Sequence, residues 1–106
     1  MITIRIGQHR NEISLNMQGH AGYAEAGKDI VCAAASMLFC LCCERANALS
    51  TGVRYVHESG YGDLTCKADD MEAVTAFETL FRGFEMLAEQ YPEHVKLEGN
   101  AEICPF

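Results

Sequence analysis

The sequence has few basic residues and no long apolar run. It contains 8 lysines and arginines against 15 aspartates and glutamates, which gives a formal net charge of -7 at pH 7. This balance disfavours nucleic acid as a direct ligand, because proteins that bind nucleic acid neutralise its phosphates with lysine and arginine. It instead favours basic partners, including basic peptides.

The longest uncharged stretch of the helical region is too short to cross a membrane. It runs from Ile30 to Cys43, which is 14 residues, whereas a membrane-spanning helix needs roughly 20. The first residues, Met1 to Ile6, alternate apolar and polar side chains and lack the basic start and apolar run of a secretory signal. We therefore expect a cytoplasmic protein that does not bind membranes.

Cysteine, by contrast, is abundant, with 6 residues in a chain of 106. Four of the cysteines fall on one predicted helix, where they cannot pair with one another without strain: Cys32, Cys40, Cys42 and Cys43. This pattern favours free thiols in a reducing compartment over a disulfide framework. With 49% apolar residues, the chain is expected to form a single domain, residues 1–106, around one core.

The apolar residues repeat with the periods of strands and helices in the order ββαββαβ. Strands are predicted at residues 2–6, 13–18, 53–58, 64–68 and 95–98, and helices at residues 30–50 and between Asp69 and Pro92. Most of the strands alternate apolar and polar residues, so each has one face in water. This predicts a two-layer α+β fold, in which both helices cover one face of a largely antiparallel sheet.

The first helix carries clear end signals and an apolar stripe. Asp29 is predicted to cap its start and Gly52 to stop it. Residues with three- and four-residue spacing are predicted to form its buried face: Ile30, Ala34, Leu38, Leu41, Cys42, Ala46 and Leu49. The second helix has the same kind of stripe, formed by Val74, Phe77, Leu80, Phe81, Phe84, Leu87 and Tyr91. Asp69 and Glu72 have the spacing of a capping box at its start, and residues 59–62 are expected to form a turn.

The stretch from Gly19 to Leu38 carries the residues best suited to nucleophilic chemistry. It runs from a strand end through a glycine-containing loop into the first helix, with His20 in the loop and Cys32 in the first helical turn. A thiol attacks carbon as its thiolate, which a helix N-terminus and a neighbouring imidazolium both stabilise. His20 could therefore activate Cys32 and later protonate a leaving amine, while amides at the helix start could hold an oxyanion.

The same residues also allow a non-catalytic interpretation. A cysteine in an apolar helix is more often a small core residue, so the chain could be a binding domain with an inert Cys32. Asp29 could orient His20 as in a catalytic triad or merely cap the helix. Ser36, one turn beyond Cys32, could bind substrate or merely pack. His57 is a lesser alternative to His20 as the base.

A thiol or metal module is a further alternative. It would use Cys40, Cys42 and Cys43 with a histidine. Zinc ligands, however, usually come as spaced cysteine pairs in turns, and adjacent residues on a helix point about 100° apart. We therefore expect neither a metal nor another cofactor.

A family resemblance rests on two segments of this stretch. The sequence GHA, followed by a short glycine-containing loop and then DIVCAAAS, resembles the signature of the bacterial ribosomal-processing cysteine proteases, the Prp family. Length, element order and acidic balance are also similar over essentially the whole chain. The resemblance implies a cysteine endopeptidase that removes a short N-terminal extension from a large-subunit ribosomal protein.

The resemblance also implies roles for individual residues and partners. Cys32 would be the nucleophile and His20 its base, with Asp29 and Ser36 at further positions of the motif. A homodimer is implied, with a mobile loop at the site, here residues 20–28. Ribosomal proteins are basic, so an acidic enzyme is electrostatically matched to them. The motif assigns no function to the remaining cysteines, which are Cys40, Cys42, Cys43, Cys66 and Cys104.

Overall fold

Residues 1–104, which the computed structural model describes, form five strands and two helices. In chain order these are β1 (Ile2–His9), β2 (Glu12–Gln18), α1 (Ile30–Leu49), β3 (Thr51–Glu58), β4 (Tyr61–Lys67), α2 (Met71–Gln90) and β5 (Val95–Glu98). The predicted ββαββαβ order is thus confirmed. The predicted domain extends to Phe106, so its last two residues lie outside the described range.

The strands form one mixed sheet with the order β3-β4-β2-β1-β5. The pairs β1–β2, β2–β4 and β3–β4 are antiparallel, whereas β5 lies parallel to β1. The parallel pair follows from the connection, since α2 carries the chain from β4 back across the sheet before β5 begins. The prediction of a largely antiparallel sheet is therefore confirmed.

One face of the sheet forms the core together with both helices. The buried apolar residues of the sheet are Ile2, Ile4, Ile13, Leu15, Met17, Leu64, Cys66 and Val95, and they join the helix residues in one cluster. The opposite face is polar, with Arg5 Nε donating to Glu98 at 2.7 Å and Asn16 Nδ2 donating to Asp63 at 3.1 Å. Both helices therefore cover the same face, which is the predicted two-layer arrangement.

The predicted buried stripe of α1 is wrong in part, because the helix is rotated by about one residue. Cys42 and Ala46 are buried as predicted, and Ala34, Leu38 and Leu49 pack partly buried against the core. The buried residues are Val31, Ala35, Phe39, Cys42, Cys43 and Ala46, whereas Ile30 is 58% and Leu41 41% exposed. A helix that is apolar on most sides has no single face that periodicity can identify. Packing against the sheet determines the rotation of α1 instead. The Phe39 ring occupies the space above Gly62, where an added Cβ would lie 2.9 Å from it.

The apolar spacing of α2 is confirmed, but its cap is displaced by one residue. Val74, Phe77, Phe81, Phe84 and Leu87 are buried, and Leu80 and Tyr91 pack partly buried against them. The N-cap is Asp70, whose Oδ1 accepts from Ala73 N at 2.9 Å. Asp69, which was predicted to cap the helix, instead accepts from the side chains of Asn11 and Thr51.

Several element ends also differ from the prediction. β1 continues to His9, so the first hairpin turns at Arg10 and Asn11. Gly52 does not stop α1, because the helix ends at Leu49 and Gly52 already lies in β3. Tyr61 and Gly62 belong to β4, which leaves only residues 59 and 60 for the second hairpin turn. Pairing with a neighbouring strand therefore overrides the local turn signals.

By length and composition alone, α1 could cross a membrane, since an 18-residue window reaches a mean hydropathy of 1.4. The core helix of a soluble protein meets the same criteria. In this fold α1 packs on α2 and on the sheet through its buried face.

We expect Gly62→Ala to lower the free energy of unfolding by about 1–3 kcal/mol, which is typical of overpacking a core. Phe39 is fully buried, so its ring cannot move away from the added methyl group. Gly83→Ala is the matched control, because the atom that it meets is the tip of the partly buried Leu38 side chain at 2.8 Å. Urea unfolding should place this control within about 1 kcal/mol of the wild type. Equal losses in the two variants would contradict the packing argument.

We expect Asp29→Ala to destabilise the protein at neutral pH and less at a second pH below the ordinary carboxyl value of 3.8. Hydrogen bonds from backbone amides, that of Cys32 first, lower the pKa of Asp29 from its ordinary value of 3.8. A lowered folded-state pKa contributes stability above the ordinary value, and this is lost as the pH falls through the folded value. Urea unfolding at both pH values measures the difference, with Glu93→Ala as the exposed carboxylate control. A pH-independent effect of Asp29→Ala would contradict the prediction.

Candidate active site

The loop between β2 and α1 is attached to the fold at its start. Gly19 N donates to Gly60 O in the β3–β4 turn at 2.9 Å. From Gly22 to Lys28 every residue is exposed, whereas Ala21 is only 2% exposed. The loop therefore leaves the sheet at a fixed point and has one buried residue between its attachment and its exposed part.

Asp29 ties the far end of the loop to the start of α1. Its Oδ1 accepts from Val31 N at 3.0 Å and from Cys32 N at 2.9 Å, as the predicted N-cap. Its Oδ2 accepts from Tyr23 N at 3.0 Å and from Ala24 N at 3.4 Å. Both carboxylate oxygens are thus engaged by backbone amides. Asp29 therefore caps the helix and fixes the loop to the helix start. These four contacts do not involve an imidazole.

Cys32 lies in the first turn of α1, at the border of the buried face. Its side chain is partly buried, and its Sγ accepts a hydrogen bond from Ala21 N at 3.2 Å. Ser36 is one turn further along the same side of the helix and is also partly buried. Cys32 is therefore accessible from the surface, unlike an inert core cysteine.

His20 is exposed and rests against the turn between β3 and β4. A Cβ added to Gly60 would lie 2.7 Å from its Nε2. Gly60 also has a φ of +73°, a conformation that residues with a side chain rarely adopt. Glycine at this position therefore permits the turn conformation and leaves room for the imidazole ring of His20.

Two cavities join these residues into one site. The first, of about 400 Å³, and the second, of about 640 Å³, are both lined by His20, Cys32 and Ser36. Asp29 lines only the second cavity, and His57 lines only the first. All four predicted site residues therefore line the second cavity, and Asp29 in addition holds the backbone around it.

The remaining thiols lie in different environments. Burial raises the pKa of Cys43 to about 11 and that of Cys66 to about 11, and it raises the pKa of Cys42 further. These three thiols are therefore protonated at neutral pH. Cys40 is exposed, with its Sγ 3.6 Å from Nδ1 of His57. Within residues 1–104, no group of three or more His, Cys, Asp and Glu residues is placed to hold a metal ion.

Three residues of this site escaped the sequence analysis. Ala21 donates its N–H to Cys32, Gly60 seats His20, and His94 places its Nδ1 2.9 Å from Ala21 O. Gly60 had a signal, since it stands in a glycine-containing turn. Ala21 stands in the GHA segment, but nothing there indicated a role for its amide, because a backbone amide is the same in every residue. His94 had no signal, because a contact across 73 positions is invisible in sequence.

Comparison with known proteins places the chain in a family. The model of the family Peptidase_Prp, described as cysteine protease Prp, matches residues 1–96. No curated protein sequence matches the chain.

Solved structures agree with the family match. The chain is 27% identical to the essential ribosomal processing protease Prp from S. aureus in complex with a covalently linked product peptide, with a TM-score of 0.78. It is also 27% identical to that protease in complex with a substrate peptide, with a TM-score of 0.67. A hypothetical protein from Staphylococcus aureus, 18% identical with a TM-score of 0.64, shares the fold. Each match covers 92% of this chain and 98% of the other. The chain therefore belongs to the cysteine protease Prp family.

Proposed function

We propose that this enzyme removes a short N-terminal extension from a bacterial large-subunit ribosomal protein in the cytoplasm, with Cys32 as nucleophile and His20 as its base. The observation that carries the assignment is the shared cavity: both side chains line the same two spaces, and Cys32 stands at the start of a helix. The S. aureus relative that was solved with a product peptide is a ribosomal processing protease, which supports the substrate class.

The reaction begins with attack of the Cys32 thiolate on the scissile carbonyl carbon. The positive end of the α1 dipole favours the anion, and His20 takes the thiol proton. Collapse of the tetrahedral intermediate breaks the peptide bond, and His20 gives the proton to the leaving amine. Water then hydrolyses the acyl-enzyme and releases the extension with a new carboxyl terminus.

The oxyanion needs a donor other than the first amides of α1. The amides of Val31 and Cys32 already donate to Asp29, so the expectation that they hold the oxyanion is revised. Ala21 N lies 3.2 Å from the nucleophilic sulfur, close to where the carbonyl oxygen of a bound substrate would be. We assign the oxyanion to this N–H, which is already placed to donate to the oxygen as charge develops there.

Asp29 and Ser36 support the site in different ways. Asp29 acts on geometry, because it fixes both the helical turn that bears Cys32 and the loop that follows His20. Ser36 lines both cavities with a hydroxyl group one turn from the sulfur, so it can bind the substrate backbone. The exposed loop, residues 20–28, closes over the bound peptide.

The partners follow from charge and from the sheet edge. The net charge of -7 attracts a basic ribosomal protein. β3 is an edge strand with all but one residue exposed, and two of its residues, His57 and Glu58, line the first cavity. An extended peptide can therefore add to this edge and reach the site. The enzyme acts as a homodimer and needs neither a metal nor another cofactor.

Replacing Cys32 with alanine is expected to reduce cleavage by at least about 10³-fold, because the covalent route is lost. The fold should persist, since the side chain is partly exposed and small. The substrate is a ribosomal-protein peptide with its N-terminal extension, and mass spectrometry reads the product. Cys40→Ala, on the same helix, is the control and should cleave normally. Cleavage by Cys32→Ala at the wild-type rate would remove this residue as the nucleophile.

Replacing His20 with alanine is expected to lower kcat/KM by about 10²–10⁴-fold, the usual contribution of a general base. His57→Ala is the matched comparison, because His57 lines only the first cavity and its Nδ1 faces Cys40. The same peptide assay should show a loss of less than about tenfold for this variant. A larger loss in His57→Ala than in His20→Ala would exchange their roles.

A further inference from the structure

We propose that His94 is a positioning residue for the peptidase reaction, which holds Ala21 so that the Ala21 N–H faces the Cys32 sulfur. This inference rests on the proposed function, because it concerns the same nucleophile. It adds a residue far along the chain that touches neither the reacting sulfur nor the substrate. His94 acts through one buried alanine of the loop.

The contacts form a continuous connection from His94 to the nucleophile. Nδ1 of His94 lies 2.9 Å from Ala21 O, and Ala21 N lies 3.2 Å from Cys32 Sγ. A carbonyl oxygen can only accept, so Nδ1 must carry the hydrogen. Both neighbouring peptide groups of Ala21 are thus held. The imidazole holds the group that follows Ala21, and the thiol holds the group before it together with the amine of Met1, which donates to His20 O at 2.6 Å.

Ala21 needs such a restraint because of its neighbour. Gly22 follows it directly, with a φ of +67° and open space where a Cβ would be. A glycine in such surroundings has great conformational freedom. Without the imidazole, the carbonyl of Ala21 would lose its hydrogen-bond restraint, and the direction of the N–H would be less fixed.

His94 itself is well anchored. Its N–H donates to Tyr91 O at 2.9 Å, and its carbonyl accepts from Ile2 N at 2.9 Å. Its ring meets Tyr23 edge-on at 5.4 Å, and Tyr23 meets Tyr91 in the same way at 5.6 Å. The imidazole therefore links the sheet to the loop through a hydrogen bond and through ring packing, and these two contributions can be separated.

The hydrogen bond persists in either protonation state of His94. Nδ1 carries a hydrogen in the imidazolium and in one of the two neutral tautomers, and the carbonyl partner selects that tautomer. A change of His94 charge therefore does not release Ala21. The titratable groups that face Cys32 in the cavities are His20, His57, Asp29, Lys28 and Glu58.

Two substitutions separate the hydrogen bond from the ring. His94→Phe keeps a ring beside Tyr23 and removes the donor, whereas His94→Asn keeps an N–H near the Nδ1 position and removes the ring. We expect kcat/KM for the extended peptide to fall about tenfold in His94→Phe, mainly through kcat, and to stay within about threefold of wild type in His94→Asn. His9→Phe, at the far end of β1, is the matched control and should be unchanged.

Alkylation of Cys32 by iodoacetamide gives a readout that does not depend on cleavage. Between about pH 5 and pH 9, the rate profile of His94→Phe should move to higher pH, because the thiolate loses a fixed donor. The profile of His94→Asn should match that of the wild type. A wild-type profile in His94→Phe, or equal losses in the two variants, would overturn the inference. Failure of the wild type to cleave the peptide would instead count against the proposed function.

A measurement on the unaltered protein covers the case in which His94→Phe does not fold. ¹H–¹⁵N NMR correlations of the imidazole identify the neutral tautomer. The hydrogen is expected on Nδ1 of His94 at alkaline pH. A hydrogen on Nε2 in that state would leave Ala21 O without this donor and would overturn the proposal.

Discussion

The carboxylate of Asp29 is the contact on which the geometry of the site depends. One oxygen accepts from the first amides of α1, and the other accepts from amides of the loop that begins with His20. A helix start and an irregular loop both expose backbone donors that need partners, and one side chain satisfies both. The helical turn that bears Cys32, the proposed nucleophile, and the loop that carries His20, the proposed base, are thereby held to one carboxylate.

Core packing then sets the direction in which Cys32, the proposed nucleophile, points. The Phe39 ring lies above Gly62 and fixes the rotation of α1 on the sheet. In that rotation Val31 is buried, while Cys32 and Ser36 fall at the border between core and solvent. The same residue that fills the core therefore places the reactive thiol within reach of a peptide, which connects the stability of the fold to the accessibility of the site.

The sequence predicted those features that depend on short-range patterns. Alternation located the strands, helical spacing located the buried side of α2, and the position of Asp29 located the start of α1. It failed where long-range packing decides, as in the rotation of a helix that is apolar on most sides. For the site, the motif identified His20, Cys32 and Ser36, which line one cavity in the structure. It could not find Ala21 and His94, because their contribution is a backbone contact between distant parts of the chain.

The unequal burial of the cysteines bears on the chemical targeting of this enzyme. Cys42, Cys43 and Cys66 are buried in the core. A soft electrophile has no open route to these thiols, and they are not present as thiolates. Besides Cys32, the proposed nucleophile, two surface thiols could therefore react with a covalent inhibitor, Cys40 and Cys104. Of these, Cys40 lies beside His57, which lines the first cavity, so it offers a second attachment point for a compound that extends from that cavity past His57.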